Sequence, residues 1–171
     1  MNSSTSVKLA SIALAVAGLA SAPASMAATA TGSLAVSAAV LSTCVVVSTP
    51  LVFGNYTLAT VDATGLISVT CTPDITSYNV ALGSGTGTGA TTSARKLTSA
   101  TSSDTLTYSL YRDSGRTQNW GDVPNVDTAA SANATTTVGA VKSFTVFGRV
   151  AAGQASATGS YLDTVQINVN Y

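Results

Sequence analysis

The sequence lacks histidine and glutamate, and only 8% of its 171 residues are charged. Histidine is the commonest general base and the commonest metal ligand, so its absence argues against an enzyme and against a metal site. Basic and acidic residues balance at seven each, which leaves no cationic excess for phosphate backbones. We therefore expect a protein that is not an enzyme, needs no cofactor and does not bind nucleic acid.

The polar residues that usually cover helices are also scarce, because Lys and Gln are few and Glu is absent. Thr, Ser, Val and Gly dominate instead, and such a composition favours extended structure. The composition predicts an all-β fold.

The first residues have the pattern of a secretory signal. Lys8 precedes an apolar run at Leu9–Ala20, and the small residues that follow include Ser25-Met26-Ala27. The run is shorter than the roughly 20 residues that a bilayer requires, so we expect no integral membrane segment in the mature chain. We predict a signal peptide at residues 1–27 and export through the periplasm to the cell surface.

Two cysteines remain after this cleavage, Cys44 and Cys71. An even pair in an exported chain indicates a structural disulfide, worth roughly 3 to 4 kcal/mol by loop closure. A redox or nucleophilic role would require a CxxC motif or a nearby histidine, and neither occurs.

Short β-type runs alternate with clusters of Gly, Ser, Thr and Asp, without heptads or helical periodicity. Seven such runs favour an immunoglobulin-like β-sandwich. The predicted strands are Leu34–Leu41, Cys44–Phe53, Leu66–Thr72, Ser77–Leu82, Leu106–Tyr111, Phe144–Val150 and Tyr161–Tyr171.

The last predicted strand alternates strictly. One face carries Val165, Ile167, Val169 and Tyr171, and the other face carries Thr and amide side chains. No residues follow to form a neighbouring strand, so we expect an open edge and an exposed apolar row beside it.

A second alternating segment precedes the first cysteine and therefore lies outside the predicted disulfide loop. Its apolar residues are Leu34, Val36, Ala38 and Val40. Such a segment can add a strand to the open sheet of another subunit, or it can be the first strand of its own domain. Periodicity alone leaves both interpretations open.

Four stretches of the sequence together resemble the spore coat protein U domain family, which includes the subunits of archaic chaperone-usher pili. They are TGSLAVSAAVLSTC, ISVTCT, YSLYRDSGRTQNWGD and FTVFGRVAAGQASATGSYLDTVQINVNY, and they span nearly the whole mature chain.

The resemblance implies an incomplete immunoglobulin-like sandwich that a donor strand from another subunit completes. Residues 28–43 would be the N-terminal donor extension, with Leu34, Val36, Ala38 and Val40 as its apolar side chains, and residues 44–171 would be the pilin domain. The acceptor groove, which a chaperone occupies first, would include Val165, Ile167, Val169 and Tyr171. The implied partners are copies of this chain or related pilins, a periplasmic chaperone and an outer-membrane usher, in a pilus that supports adhesion and biofilm formation.

Two alternatives stay open at this point. One is an adhesive or carbohydrate-binding module that uses Trp120 for stacking, although a single Trp is more often part of a core. The other is a monomeric coat component with a self-completed sandwich. Arg112, Asp113 and Arg116 suggest a small binding patch or, more simply, a solvated turn.

Overall fold

The computed structural model describes residues 29–132 and 140–171, so the predicted signal peptide lies outside the described part of the chain. That part contains nine strands and no helix, which confirms the all-β prediction. The strands are β1 (Cys44–Ser48), β2 (Val61–Cys71), β3 (Ser77–Leu82), β4 (Arg95–Ser99), β5 (Thr105–Tyr111), β6 (Ala129–Ala132), β7 (Val141–Val150), β8 (Tyr161–Leu162) and β9 (Ile167–Asn170).

The strands form two antiparallel sheets. One sheet has the order β1-β2-β7-β5-β4-β8 and the other has the order β6-β3-β9. Side chains of β2, β5 and β7 alternate, and their inward residues meet those of β3 in one core. Buried members of this core include Ile67, Val69, Val80, Leu82, Tyr108, Leu110, Val146 and Val150.

Sequence patterns located the apolar strands better than the polar ones. Strand β3 matches its prediction, whereas β2 and β7 begin earlier than expected. The predictions missed β4 (RKLTS), which mixes charge with hydroxyls, and β6 (AASA), which has no large apolar side chain.

The C-terminal segment is divided, and the prediction of one strand at Tyr161–Tyr171 is wrong. Strand β8 pairs with β4 in the larger sheet, and β9 pairs with β3 in the smaller one. Asp163 lies at the crossing, where its carboxylate accepts hydrogen bonds from Thr86 and Tyr108. The change of sheet thus coincides with a residue that is bonded to β5 and to the segment between β3 and β4.

Cys44 and Cys71 form a disulfide, and they are opposite each other in the β1–β2 register. The bridge therefore fastens the first residue of the sandwich to the end of β2.

The chain divides into two units, Met1–Ala38 and Ala39–Tyr171. In the first unit, the described residues 29–38 form no strand and their side chains are exposed. Among the described residues, no helix is long and apolar enough to cross a bilayer.

Candidate functional site

The described part of the second unit contains an apolar groove with a volume of about 360 Å³. Residues 48–53 form its first wall and residues 163–167 form its second wall. Its floor consists of core side chains from the larger sheet and β3, namely Ile67, Leu82, Tyr108, Leu110 and Val146. These floor side chains expose only 2 to 6% of their surface, so the groove lies over a core that is already largely shielded from solvent.

The first wall follows β1 and packs closely on the floor. Leu51 and Phe53 contact Gly148, where an added Cβ would lie 2.9 to 3.0 Å from their side chains. At Gly65 on β2, an added Cβ would lie 3.3 Å from the Cβ of Leu51, so this glycine also leaves room for the Leu51 side chain. Glycine is required at this approach because any larger residue would push the wall outward.

The second wall leads into β9, which is an edge strand. Within residues 29–132 and 140–171, β9 pairs only with β3, so its other edge has no partner there. Val165 and Ile167 line the groove, and Val169 packs against the core. Tyr171 lies beyond β9, is 61% exposed and does not line the groove.

Tyr108 connects the two walls at one end of the groove. Its ring packs edge-on against Phe53, with 5.7 Å between the centroids, and its hydroxyl donates to Asp163 at 2.7 Å. Phe53 ends the first wall and Asp163 begins the second. The two walls therefore run in opposite directions, and a strand lying between them would be antiparallel to one and parallel to the other.

The Asp163 carboxylate makes this end of the groove polar. It accepts hydrogen bonds from the Thr86 N–H at 2.7 Å, the Thr86 hydroxyl at 2.9 Å and the Thr164 N–H at 2.7 Å, in addition to Tyr108. Burial, followed by the hydrogen bond to Asp163, raises the pKa of Tyr108 far above its usual value. Tyr108 is therefore a hydrogen-bond donor at any physiological pH.

Arg95 on β4 is a structural residue that the sequence patterns did not single out. It is fully buried, and its guanidinium donates to the carbonyl oxygens of Leu82, Gly83 and Trp120 at 2.8 Å each and to that of Thr92 at 2.5 Å. Burial lowers its pKa from the usual value. The only signal in the sequence was a charged residue next to the Gly-rich stretch, which does not reveal which carbonyls it reaches.

The apolar side chains of the predicted donor segment are exposed. In the first unit, Leu34 and Val36 expose 87% and 85% of their surface, and in the second unit Val40 exposes 93%. Ala38 is exposed as well. None of the described residues 29–43 belongs to a strand. An exposed row of this kind is unusual in a finished domain and is typical of a surface that a partner covers.

The base of this segment is attached to the sandwich next to the disulfide. Thr43 N–H donates to the Thr72 hydroxyl at 3.1 Å, and Thr72 N–H donates to the Thr43 carbonyl at 2.9 Å. The Ser42 hydroxyl donates to the Asp74 carboxylate, and this bond is the main reason that the pKa of Asp74 lies below its usual value. The segment is therefore anchored from Ser42 onward.

Trp120 is not available for stacking on a ligand, because it is 1% exposed and its indole N–H donates to the Val80 carbonyl at 2.8 Å. The carbohydrate-binding alternative loses the residue on which it depended.

The charged residues of the YRDSGRT motif hold its turn and neighbouring backbone. Arg112 donates to the Thr128 carbonyl, and Asp113 accepts from the N–H groups of Thr117 and Gln118. Arg116 donates to the Gly148 carbonyl and lies 3.3 Å from an oxygen of Asp62. These contacts favour the structural interpretation over a binding patch.

In the part of the chain that the structure describes, no three acidic or sulfur side chains come together as metal ligands.

Comparison with known proteins points to one family. The Spore Coat Protein U domain family matches residues 30–168. This family is structural and adhesive, not enzymatic. A comparison with curated proteins gave no match.

Among solved structures, the chain is similar to one chain of the CsuC–CsuE complex. This is a chaperone–tip adhesion subunit pre-assembly complex from the archaic chaperone-usher Csu pili of Acinetobacter baumannii. The identity is 24% and the TM-score is 0.55, over 77% of the present chain. The match spans only 40% of that other chain, and it establishes similarity of fold.

Proposed function

The chain belongs to the Spore Coat Protein U domain family, and on this basis we propose that it is a structural subunit of a secreted chaperone-usher pilus. The observation that carries the proposal is the apolar groove beside the unpaired edge of β9. In the proposed mechanism, the segment at residues 34–40 of one subunit enters the groove of the next and completes its sandwich. No covalent step is involved.

The size of the groove supports this occupant. A cavity of about 150 Å³ holds benzene, so a volume of about 360 Å³ holds roughly 14 non-hydrogen atoms. The four apolar side chains of the segment, Leu34, Val36, Ala38 and Val40, contain roughly 11 such atoms, which is a comparable volume. The segment thus has suitable bulk for the groove of another copy.

The energetics also favour insertion. Leu34, Val36 and Val40 are almost fully exposed, and burying three such side chains contributes roughly 5 kcal/mol before ordering costs. Main-chain hydrogen bonds to the free edge of β9 add to this stabilisation. Dissociation would expose the apolar row and unpaired backbone together, so the junction should be long-lived.

Head-to-tail insertion produces a fibre because the donor and acceptor surfaces differ and the contact does not close on itself. Before assembly, a periplasmic chaperone would cover the groove, and an outer-membrane usher would catalyse the exchange for the next subunit's segment. The solved relative is itself bound in a chaperone complex before assembly, in agreement with this order. The assembled fibre would support adhesion and biofilm formation at the cell surface.

The test compares adjacent positions on opposite faces of the segment. We expect Val36→Asp to abolish secreted multimers, because a carboxylate would enter an apolar groove, whereas Ser37→Asp should assemble normally. Multimers are measured as a ladder on an unheated denaturing gel of surface extracts. Equal ladders from the two variants would contradict donor-strand assembly, and monomers alone from the unsubstituted chain would favour a self-completed sandwich.

A further inference from the structure

One end of the groove differs chemically from the rest. The floor is apolar, but Asp163 places a carboxylate at the end where Tyr108 joins the two walls. Ser48 and Thr49 line the groove as well, and their hydroxyls are neutral. Among the described residues that line the groove, Asp163 is the one with an ionisable carboxylate.

This carboxylate is held in a fixed position. Four donors surround it, from Thr86, Thr164 and Tyr108, and the Gly85 backbone lies so near that an added Cβ would overlap the carboxylate. Tyr108 is 5% exposed and is itself fixed by the core. An apolar side chain that arrives here would therefore remove water from a carboxylate that has no room to turn away.

We propose that Asp163 determines the register of the incoming strand, because the apolar row of that strand has to end before it reaches this carboxylate. This inference rests on the proposed function and adds a specificity rule to it. The groove accepts a strand whose alternating apolar row is bounded by a small or hydroxyl-bearing residue on the same face.

The chain's own donor segment obeys this rule. Counting outward by two from Leu34 and Val40, the next residues on the same face are Gly32 and Ser42. The first wall, from Ser48 to Phe53, extends about 17 Å, and the apolar row extends about 20 Å. The groove is therefore about as long as the row and offers little length for alternative positions.

The register matters because the incoming strand can shift by one residue or by two residues, and different features of the groove oppose the two shifts. A shift by one residue turns the apolar row out of the groove. A shift by two residues keeps the row facing inward, so the lengths of the walls alone do not prevent it. A fixed carboxylate opposes this second slip in the direction of Asp163, where the shifted row would place Leu34 or Val40 against it.

The experiment extends the apolar row in the full-length chain, expressed together with its chaperone and usher. Gly32→Leu and Ser42→Leu lengthen the row at its two ends, and Ser33→Leu is the control on the opposite face. We expect the variant whose new leucine meets Asp163 to form about tenfold fewer multimers than Ser33→Leu. Ser42→Ala separates the effect of the added leucine from the lost bond to Asp74.

The decisive step is to restore multimer formation by changing Asp163 in the groove that accepts the strand. Asp163→Ala, combined with the impaired variant, should restore its multimers, and Asp163→Asn should restore them in part because a neutral amide is easier to desolvate. Asp163→Asn keeps the shape of the side chain and serves where Asp163→Ala lowers the amount of folded subunit. Normal multimers from both leucine variants, or a loss that neither Asp163 change restores, would overturn the register role. Donor-strand assembly itself is judged separately by Val36→Asp.

Discussion

Arg95 gives the sharpest prediction about stability. Its guanidinium is completely buried and donates to four carbonyl oxygens. They belong to three parts of the chain, namely the end of β3 with the residue after it, the segment before β4, and the segment after β5 (Leu82, Gly83, Thr92 and Trp120). In the described part of the chain, no carboxylate lies within salt-bridge distance of Arg95. It therefore stabilises the fold through hydrogen bonds to backbone carbonyls. Replacement of Arg95 by methionine removes all of these donors from the core.

The magnitude follows from the carbonyls left behind. The bonds to Leu82 and Trp120 are buried, and each unsatisfied buried acceptor costs about 1 to 3 kcal/mol. Removing the buried charge recovers part of this cost, because burial disfavours the charged guanidinium. We expect Arg95→Met to lower the free energy of unfolding by about 3 kcal/mol. Arg95→Lys should be at least as damaging, because one ammonium group does not span three directions.

Urea unfolding, followed by the fluorescence of Trp120, measures this change. With a slope of about 1.5 kcal/mol per molar urea, the midpoint should fall by about 2 M. Lys142→Met on β7 is the matched control, since Lys142 is exposed, and its midpoint should move little. A wild-type midpoint for Arg95→Lys, or an Arg95→Met midpoint equal to that of the control, would refute the argument.

Two further predictions concern the groove wall and acid sensitivity. Gly148→Val should destabilise the subunit by about 1 to 3 kcal/mol through overpacking and should reduce multimers, because the new side chain displaces the first wall. The pKa of Asp62 lies below its usual value, mainly because the Arg149 guanidinium donates to it, with further help from Arg116. A lowered pKa stabilises the fold above the unfolded-state value near 4, and this stabilisation is lost as the pH falls through the folded-state value. The melting temperature of Asp62→Asn should thus lie below that of the wild type at pH 7, and the two should converge in acid.

Both predictions have internal controls. Ser143→Val adds side-chain bulk to the solvent face of β7 and removes one exposed hydroxyl contact with Ser68 at 3.2 Å, so it should change neither stability nor assembly appreciably. If it behaved like Gly148→Val, the close approach of the wall would not be the cause. For Asp62, a melting difference that stays constant from pH 7 to pH 3 would show that the ion pair makes no pH-dependent contribution.

The strands that the sequence predicted well are those in which large apolar residues recur every second position, as in β3 and β5. Local pattern suffices there, because burial on one face of a strand requires that alternation. It fails at Tyr161–Tyr171, where alternation continues across a change of sheet. Alternation with a period of two residues indicates which side chains point towards the core. It does not indicate which of the two sheets the strand joins.

The residues of the candidate site also fall into those that local alternation indicated and those that it did not. Alternation placed Val165, Ile167 and Tyr171 on one apolar face, and the family resemblance implied an acceptor groove there. Val165 and Ile167 line the groove between the two walls, whereas Tyr171 does not. The sequence did not indicate Asp163 as a residue of this site, because nothing near it in sequence indicates Tyr108 or Thr86 as its partners.

By itself, the sequence determined the β class, the pairing of its two cysteines and the alternating apolar segment before the first cysteine, since each follows from residue type and local spacing. Only the tertiary structure decided that a groove lies beside β9, that Gly148 lets the first wall approach the floor, and that Asp163 closes one end. The physical reason is that a groove is defined by surfaces far apart in the chain. Its shape depends on how the two sheets and their connecting segments pack, which no local pattern encodes.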